Sequence, residues 1–226
     1  MDIGPRPTDR AALVHELREA FTAALLLGDV VKAEIAVREG IDADLDEAIL
    51  QNEVLAPSLR RVGDLWEDGS LTVADEHLAT QITLRVLALE REAARVARGR
   101  RDDRVMLAAI EGEEHYVGLQ MVSNLLAGAG YEVRFLGADV PIDSLAPIVE
   151  KHQPRVFALT ATMPESGELL PLAVDEVRSG GGTVGVIVGG QGVPEGFRET
   201  EGLVVPRNVS DVVEAVDALV RRPELN

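Results

Sequence analysis

Between Thr8 and Arg98, apolar residues recur at three- and four-residue steps, and no run alternates in the manner of a strand. Thr8 stands before Asp9-Arg10-Ala11-Ala12-Leu13 as a candidate N-cap, and the first helix it opens reaches Leu27, where Gly28-Asp29 breaks the pattern. A second helix covers Val30 to Glu39 and stops at Gly40. The third begins near Asp44 and carries Leu45, Ile49, Val54, Leu55, Leu59 and Val62 on its apolar face; Pro57 predicts a kink or break within it. The fourth follows Gly69-Ser70 and runs through Ala93 and Val96. Four helices with short connections predict an antiparallel bundle over residues 8–98.

The charged stretch Arg98-Gly99-Arg100-Arg101-Asp102-Asp103 marks a linker (99–103), and after it the pattern changes. Short apolar runs near 104–110, 131–136, 155–160, 183–188 and 202–205 read as strands. Segments 116–129, 142–152, 166–179 and 209–221 between and after them read as helices. Alternation of this kind predicts a five-stranded parallel sheet of Rossmann or flavodoxin type over residues 104–222. The fold class is thus α/β with an all-α cap. Gly180-Gly181-Gly182 reads as a helix C-cap turn, and the chain carries no internal repeat.

Composition narrows the chemistry. Hydrophobic residues make up 46% of the 226, enough for a core, although aromatics are only 3%. The formal charge of −17, from 39 acidic and 22 basic residues, argues against direct nucleic-acid binding and against attraction to anionic membranes. The absence of cysteine excludes disulfides, thiolate zinc sites and iron–sulfur clusters. No run approaches a membrane span and Met1–Pro7 lacks an apolar signal core, so the expected location is cytoplasmic.

The candidate chemistry gathers where predicted strands end. Glu113-Glu114-His115-Tyr116-Val117-Gly118 follows the first strand, at the sheet edge where open parallel α/β folds bind ligands. A histidine with a carboxylate two residues earlier suits a metal ligand whose second nitrogen is held by an acid. The third strand ends in Thr160-Ala161-Thr162, and the fourth in Gly189-Gly190. Gly118 and Thr160 are 41 residues apart in the sense of intervening positions, and 26 positions separate Thr162 from Gly189. These three motifs resemble the cobalamin-binding domain, whose pattern is Asp-x-His-x-x-Gly, then Ser-x-Leu, then Gly-Gly at such intervals. Here Glu113, Thr160 and Thr162 replace the aspartate, the serine and the leucine. The resemblance implies a corrinoid bound with its own base displaced and His115 as the lower axial ligand of cobalt. It further implies that Glu113 accepts the other ring N–H. Thr160 would complete that relay or bond the displaced nucleotide tail, and Thr162 would line the tail pocket. Gly118, Gly189 and Gly190 would let the tail approach the backbone.

The helical half has its own motif, Trp66 followed after nine residues by Glu76-His77. It resembles the Trp-x9-Glu-His motif of adenosylcobalamin-dependent photoreceptors of the light-responsive repressor family. That resemblance implies that adenosylcobalamin binds between bundle and sheet, with Trp66, Glu76 and His77 above the corrin; methylcobalamin is also compatible. Two departures stand out. Those repressors begin with a basic winged helix-turn-helix domain that is missing here, and Glu67 replaces the histidine that follows their tryptophan. The expectation is a stand-alone light sensor without catalytic residues, signalling through self-association or a protein partner. The alternatives are a corrinoid shuttle protein of a methyltransferase system, or a cobalamin carrier.

Overall fold

A computed structural model describes residues 7–94, 101–181 and 183–221, which form two compact units, Met1–Ala93 and Ala94–Asn226. The expected helix end at Val96, the linker positions Arg98–Arg100 and Gly182 lie outside the described residues.

The first unit contains α1 (Pro7–Leu27), α2 (Val30–Asp42), the single turn α3 (Glu47–Ile49), α4 (Ala56–Glu67) and α5 (Val73–Ala94). Val14, Leu17, Phe21, Ala24 and Leu25 form one buried stripe of α1, facing a core that includes Ala33, Ala36 and Val37 of α2. Helix α1 begins at Pro7, so Thr8 lies in its first turn and is not the N-cap; proline suits that first turn because its missing N–H has no helical partner there. Asp29 caps α2 by accepting from the Lys32 N–H at 3.1 Å.

The discontinuity expected at Pro57 takes the form of π-helical turns over Leu50–Leu55, between α3 and α4. Proline has no N–H for the carbonyl four residues back and its ring crowds that carbonyl. The wider turn accommodates the mismatch: the Ala56 N–H reaches back to the Gln51 carbonyl, and Pro57 falls in the first turn of α4. Buried Ser58 donates to the Val54 carbonyl at 2.8 Å and accepts from Thr22 at 2.8 Å, joining α4 to α1. Thr72 and Asp75 close the start of α5 reciprocally, with the Asp75 N–H donating to the threonine hydroxyl and the Thr72 N–H to the aspartate.

In the second unit, β1 (Arg104–Ile110), β2 (Glu132–Val140), β3 (Val156–Thr160), β4 (Gly185–Gly189) and β5 (Leu203–Val204) form a parallel sheet in the order β2-β1-β3-β4-β5. The connecting helices are α6 (Val117–Gly128), α7 (Leu145–His152), α8 (Pro164–Gly167) and α9 (Leu170–Ser179), and α10 (Val212–Val220) follows β5. Both faces of the sheet's centre are covered, which explains why β1, β3 and β4 read as apolar runs, whereas the edge strand β2 carries Glu132, Arg134 and Asp139. Met106, Ala108, Phe157, Leu159, Val186 and Val188 pack on one face with Leu145, Val149, Ala173 and Val177 of α7 and α9. Val105, Leu107, Ala109, Val156, Ala158 and Ile187 pack on the other with Leu119, Leu126, Val216 and Leu219 of α6 and α10. Gly180 caps α9, as its sequence suggested.

Candidate functional site

The strand order reverses direction between β1 and β3, because β1 leads outward to β2 and the chain then returns to the other side of β1. At such a switch point the loops leaving two neighbouring strands part and leave a crevice at their carboxyl ends. The loop after β1 carries Glu113 and His115, and the loop after β3 carries Thr162 and Met163.

Glu113 joins those loops. Its side chain is fully buried, and Oε2 accepts from the Thr162 N–H, from the Met163 N–H at 2.9 Å and from the Ser166 hydroxyl at 2.8 Å. Oε1 accepts from the His115 N–H at 2.8 Å and lies 2.8 Å from the His115 Nδ1. Burial pushes the Glu113 carboxyl up, but the N–H groups of Met163, His115 and Thr162 and the Ser166 hydroxyl outweigh it and hold the group below its ordinary value. Glu113 is therefore a carboxylate and can only accept. Its partner Nδ1 must carry the proton, and in a neutral imidazole that leaves Nε2 with a free lone pair. The His115 side chain is half exposed, so a ligand can reach the ring.

This donor set fits the centre of a corrinoid. Among the described residues no group of three His, Asp or Glu side chains could hold a metal ion by itself. A lone histidine with a fixed tautomer suits a metal that arrives with its equatorial ligands already in place. The buried carboxylate behind it is the usual partner of a ligating imidazole.

The other expected residues fall around the same sheet edge. Thr160 is mostly buried and on the same strand parity as Val156 and Ala158, and its hydroxyl donates to the Gly189 carbonyl at 3.2 Å. The relay position expected of Thr160 is occupied by Ser166, because Glu113 reaches the loop beyond β3 and not the strand itself. Thr162 meets Glu113 through its backbone N–H. Gly118, in the first turn of α6, has open space where a Cβ would stand, and so does Gly189. Gly190 is required by the protein's own packing: its φ is +106°, and a Cβ would lie 2.0 Å from the Ala161 carbonyl oxygen. Ser166 was missed by sequence reasoning; the available signal was a hydroxyl at the start of the helix after the third strand.

In the helical unit, Glu76 lies 2.6 Å from the His77 Nδ1 and accepts from the Thr80 hydroxyl at 2.8 Å. His77 is exposed, and Trp66, near the end of α4, is 39% exposed, unusual for the only tryptophan of a chain so poor in aromatics. Val62, one turn before Trp66, lines a small crevice with Leu25, Leu71, Asp75, Leu78 and Ala79.

Fold and site together define a doubly wound α/β domain with an acid-supported histidine at its switch point, accompanied by a helical unit. The B12 binding domain family model matches residues 103–216, half of the chain, and a second B12 binding domain model matches residues 17–90. The chain belongs to the B12-binding domain family and is a cobalamin-binding protein. It is 26% identical over 202 residues to a methionine synthase of Mycobacterium leprae, covering 82% of this chain and 17% of that enzyme. It is 38% identical over 117 residues to the HTH-type transcriptional repressor CarH of Myxococcus xanthus, covering 52% of this chain and 38% of the repressor. With trimethylamine corrinoid protein 1 of Methanosarcina mazei it shares 26% identity over 216 residues, covering 93% of this chain and 98% of that protein. The chain therefore spans only a minor part of the synthase and the repressor but nearly all of the corrinoid protein. The solved monomethylamine corrinoid protein of Methanosarcina barkeri has the same fold, with a TM-score of 0.68 at 17% identity over 91% of this chain and 98% of that one. No helix among the described residues is long and apolar enough to cross a membrane.

Proposed function

We propose that the chain is a corrinoid-carrying protein of a methyltransferase system, itself without a catalytic centre, that presents its cofactor to a protein partner. The observation that carries this reading is the correspondence with trimethylamine corrinoid protein 1, which extends over both units and nearly the full length of that relative. His115 would hold the corrinoid's cobalt through Nε2, with Glu113 fixing the tautomer through Nδ1. Ser166 and the Thr162 and Met163 N–H groups keep Glu113 ionised and in place. Thr160, Thr162, Gly118, Gly189 and Gly190 would receive the displaced nucleotide tail, with open space beside Gly118 and Gly189. When bound, the corrinoid supplies a cobalt centre that accepts and gives up an alkyl group. The protein's part is to exchange the vitamin's own base for an imidazole whose donor strength Glu113 sets.

A second reading, the adenosylcobalamin light sensor, is favoured by one observation: the exposed Trp66 and the bonded pair Glu76 and His77, in a chain of which 117 residues are 38% identical to CarH. In that reading these three residues discriminate the adenosyl group. Glu67, next to Trp66, is a carboxylate and a poor soft-metal donor, so a second histidine ligand is unavailable from that position.

The deciding experiment loads the purified chain in darkness with methylcobalamin or adenosylcobalamin, followed by gel filtration and visible spectroscopy. Comparable retention of both forms with a histidine-ligated spectrum, lost in His115→Ala, supports the carrier. Strong preference for adenosylcobalamin supports the sensor. Failure to retain either form overturns both.

A further inference from the structure

We infer that Asp139, on the edge strand β2, is a positioning residue that clamps the His115 loop; the inference rests on His115 being the cobalt ligand. The pairing of β1 with β2 is interrupted twice, with register shifts between Leu107 and Ala108 and again between Ala108 and Ile110. The second shift sets two β2 positions, Ala138 and Asp139, against the single β1 position Ala109 just before Val140, and Asp139 has a φ of +50°. A bulge of this kind turns a side chain out of the ladder direction. Here it turns the Asp139 carboxylate onto the turn that follows β1.

That turn is closed by the Glu113 N–H donating to the Ile110 carbonyl at 2.9 Å, with Gly112 at φ +78°. The N–H of Gly112 and the carbonyl of Glu113 lie outside that hydrogen bond. Asp139 takes both: Oδ1 accepts from Gly112 at 2.8 Å, and its own N–H donates to the Glu113 carbonyl at 2.9 Å. Glu111 adds a third bond across the same gap by accepting from the Ile142 N–H at 3.1 Å. The peptide that carries Glu113 is thus held from both sides, by its side chain toward β3 and by Asp139 toward β2. A non-glycine residue at positive φ is disfavoured; glycine would keep the backbone bond to Glu113, so the bond from Gly112 to the carboxylate is the local reason for an aspartate here.

The two contributions of Asp139 separate by substitution. Asp139→Gly relieves the positive φ but removes the carboxylate, whereas Asp139→Asn keeps an acceptor at the same atom and tolerates the same backbone. The full chain and both variants are loaded with methylcobalamin, and four quantities are read: affinity, the histidine-ligated fraction of the visible spectrum, and, for the unloaded protein, the thermal midpoint and amide exchange at Gly112. The expected result for Asp139→Gly is an unloaded midpoint close to wild type with affinity weakened about tenfold and a reduced histidine-ligated fraction, together with faster amide exchange at Gly112. Asp139→Asn is expected to stay near wild type in all four. A Gly variant with wild-type affinity and spectrum overturns the assignment while leaving His115 ligation intact. An Asn variant as impaired as the Gly variant overturns it too, because the acceptor would then be irrelevant. Wild-type protein that shows no histidine-ligated spectrum overturns the ligand reading itself, and the positioning role with it.

Discussion

At the scale of single residues, the centre of the molecule is a carboxylate that water cannot reach. Glu113 is stable there only because every donor around it is satisfied by it, and the converse also holds. Glu113→Ala leaves the N–H groups of His115, Thr162 and Met163 without their carboxylate acceptor, while the Ser166 hydroxyl keeps the Met163 carbonyl at 2.9 Å, and the expected loss is about 2–4 kcal/mol in urea unfolding of the unloaded chain. Ser166→Ala removes a single donor and should cost about 1 kcal/mol in the same experiment. A loss as large as that of Glu113→Ala would mean that Ser166 has another structural role. Half of this arrangement was legible in the sequence. Glu113 and His115 are two positions apart on one loop, so their pairing is a local matter that spacing alone can suggest. Ser166 lies 53 positions from Glu113 and meets it only because β1 and β3 are neighbours in the sheet. No pattern along the chain carries that contact.

Among the elements, legibility followed periodicity. The apolar runs of β1, β3 and β4 and the helices between them were readable because each is buried on a defined face. The bulges of β2 were not, since a bulge changes pairing without changing apolar content, and β2 extends to Val140, beyond the run that sequence suggested. The turn type at Pro57 was equally hidden: the proline announced a disturbance, but whether the chain breaks or widens into π geometry depends on packing around Leu50 and Val54. The loops after β3 and β4 give a test at this scale. Gly190→Ala must place a methyl group 2.0 Å from the Ala161 oxygen at a φ of +106°, so it is expected to destabilise the fold by more than about 2 kcal/mol, as read by thermal unfolding. Gly189→Ala has open space and should leave the unloaded fold within about 0.5 kcal/mol; an effect on corrinoid retention alone would assign Gly189 to the tail path.

The sheet's edge supplies a pH test of the same kind. Glu132 and Arg104 face each other across β2 and β1, and Glu132 takes two bonds from Arg104, at 3.1 and 3.2 Å, and two from Arg134, at 3.0 and 2.6 Å. The Arg104 bonds first, and those of Arg134 next, hold the Glu132 carboxyl down at about 2 against an ordinary value of 4.5. A depressed folded-state value means that the charged form stabilises the fold. That contribution is complete above about pH 4.5 and is lost as the pH falls toward 2. Comparison of wild type with Glu132→Gln should therefore show the difference in unfolding midpoint shrinking between pH 4.5 and 2, and parallel curves would refute the pairing in solution.

For the whole molecule, the carrier and the sensor make opposite demands on the same two units. A carrier must release and regain an alkyl group while its protein architecture stays serviceable for the next turnover. A sensor must convert loss of the upper substituent into a change of shape or association, and a ligand can drive such a change only through contacts that differ between the two states. Among the described residues of the helical unit, Trp66 is the exposed large aromatic available for such a contact, and Glu76 and His77 form a bonded polar pair on α5. Exposure to green light of the chain loaded with adenosylcobalamin, followed by analytical ultracentrifugation, therefore separates the readings. The carrier is expected to sediment identically before and after illumination, and Trp66→Ala should alter retention of adenosyl- and methylcobalamin by similar factors. A light-dependent change in sedimentation, abolished by Trp66→Ala together with a selective loss of adenosylcobalamin affinity, would move the assignment to the sensor. If sedimentation changed with light in the Trp66→Ala protein as well, Trp66 would not be the source of the signal, and Glu76, His77 or the loop that carries His115 would have to supply the differential contact.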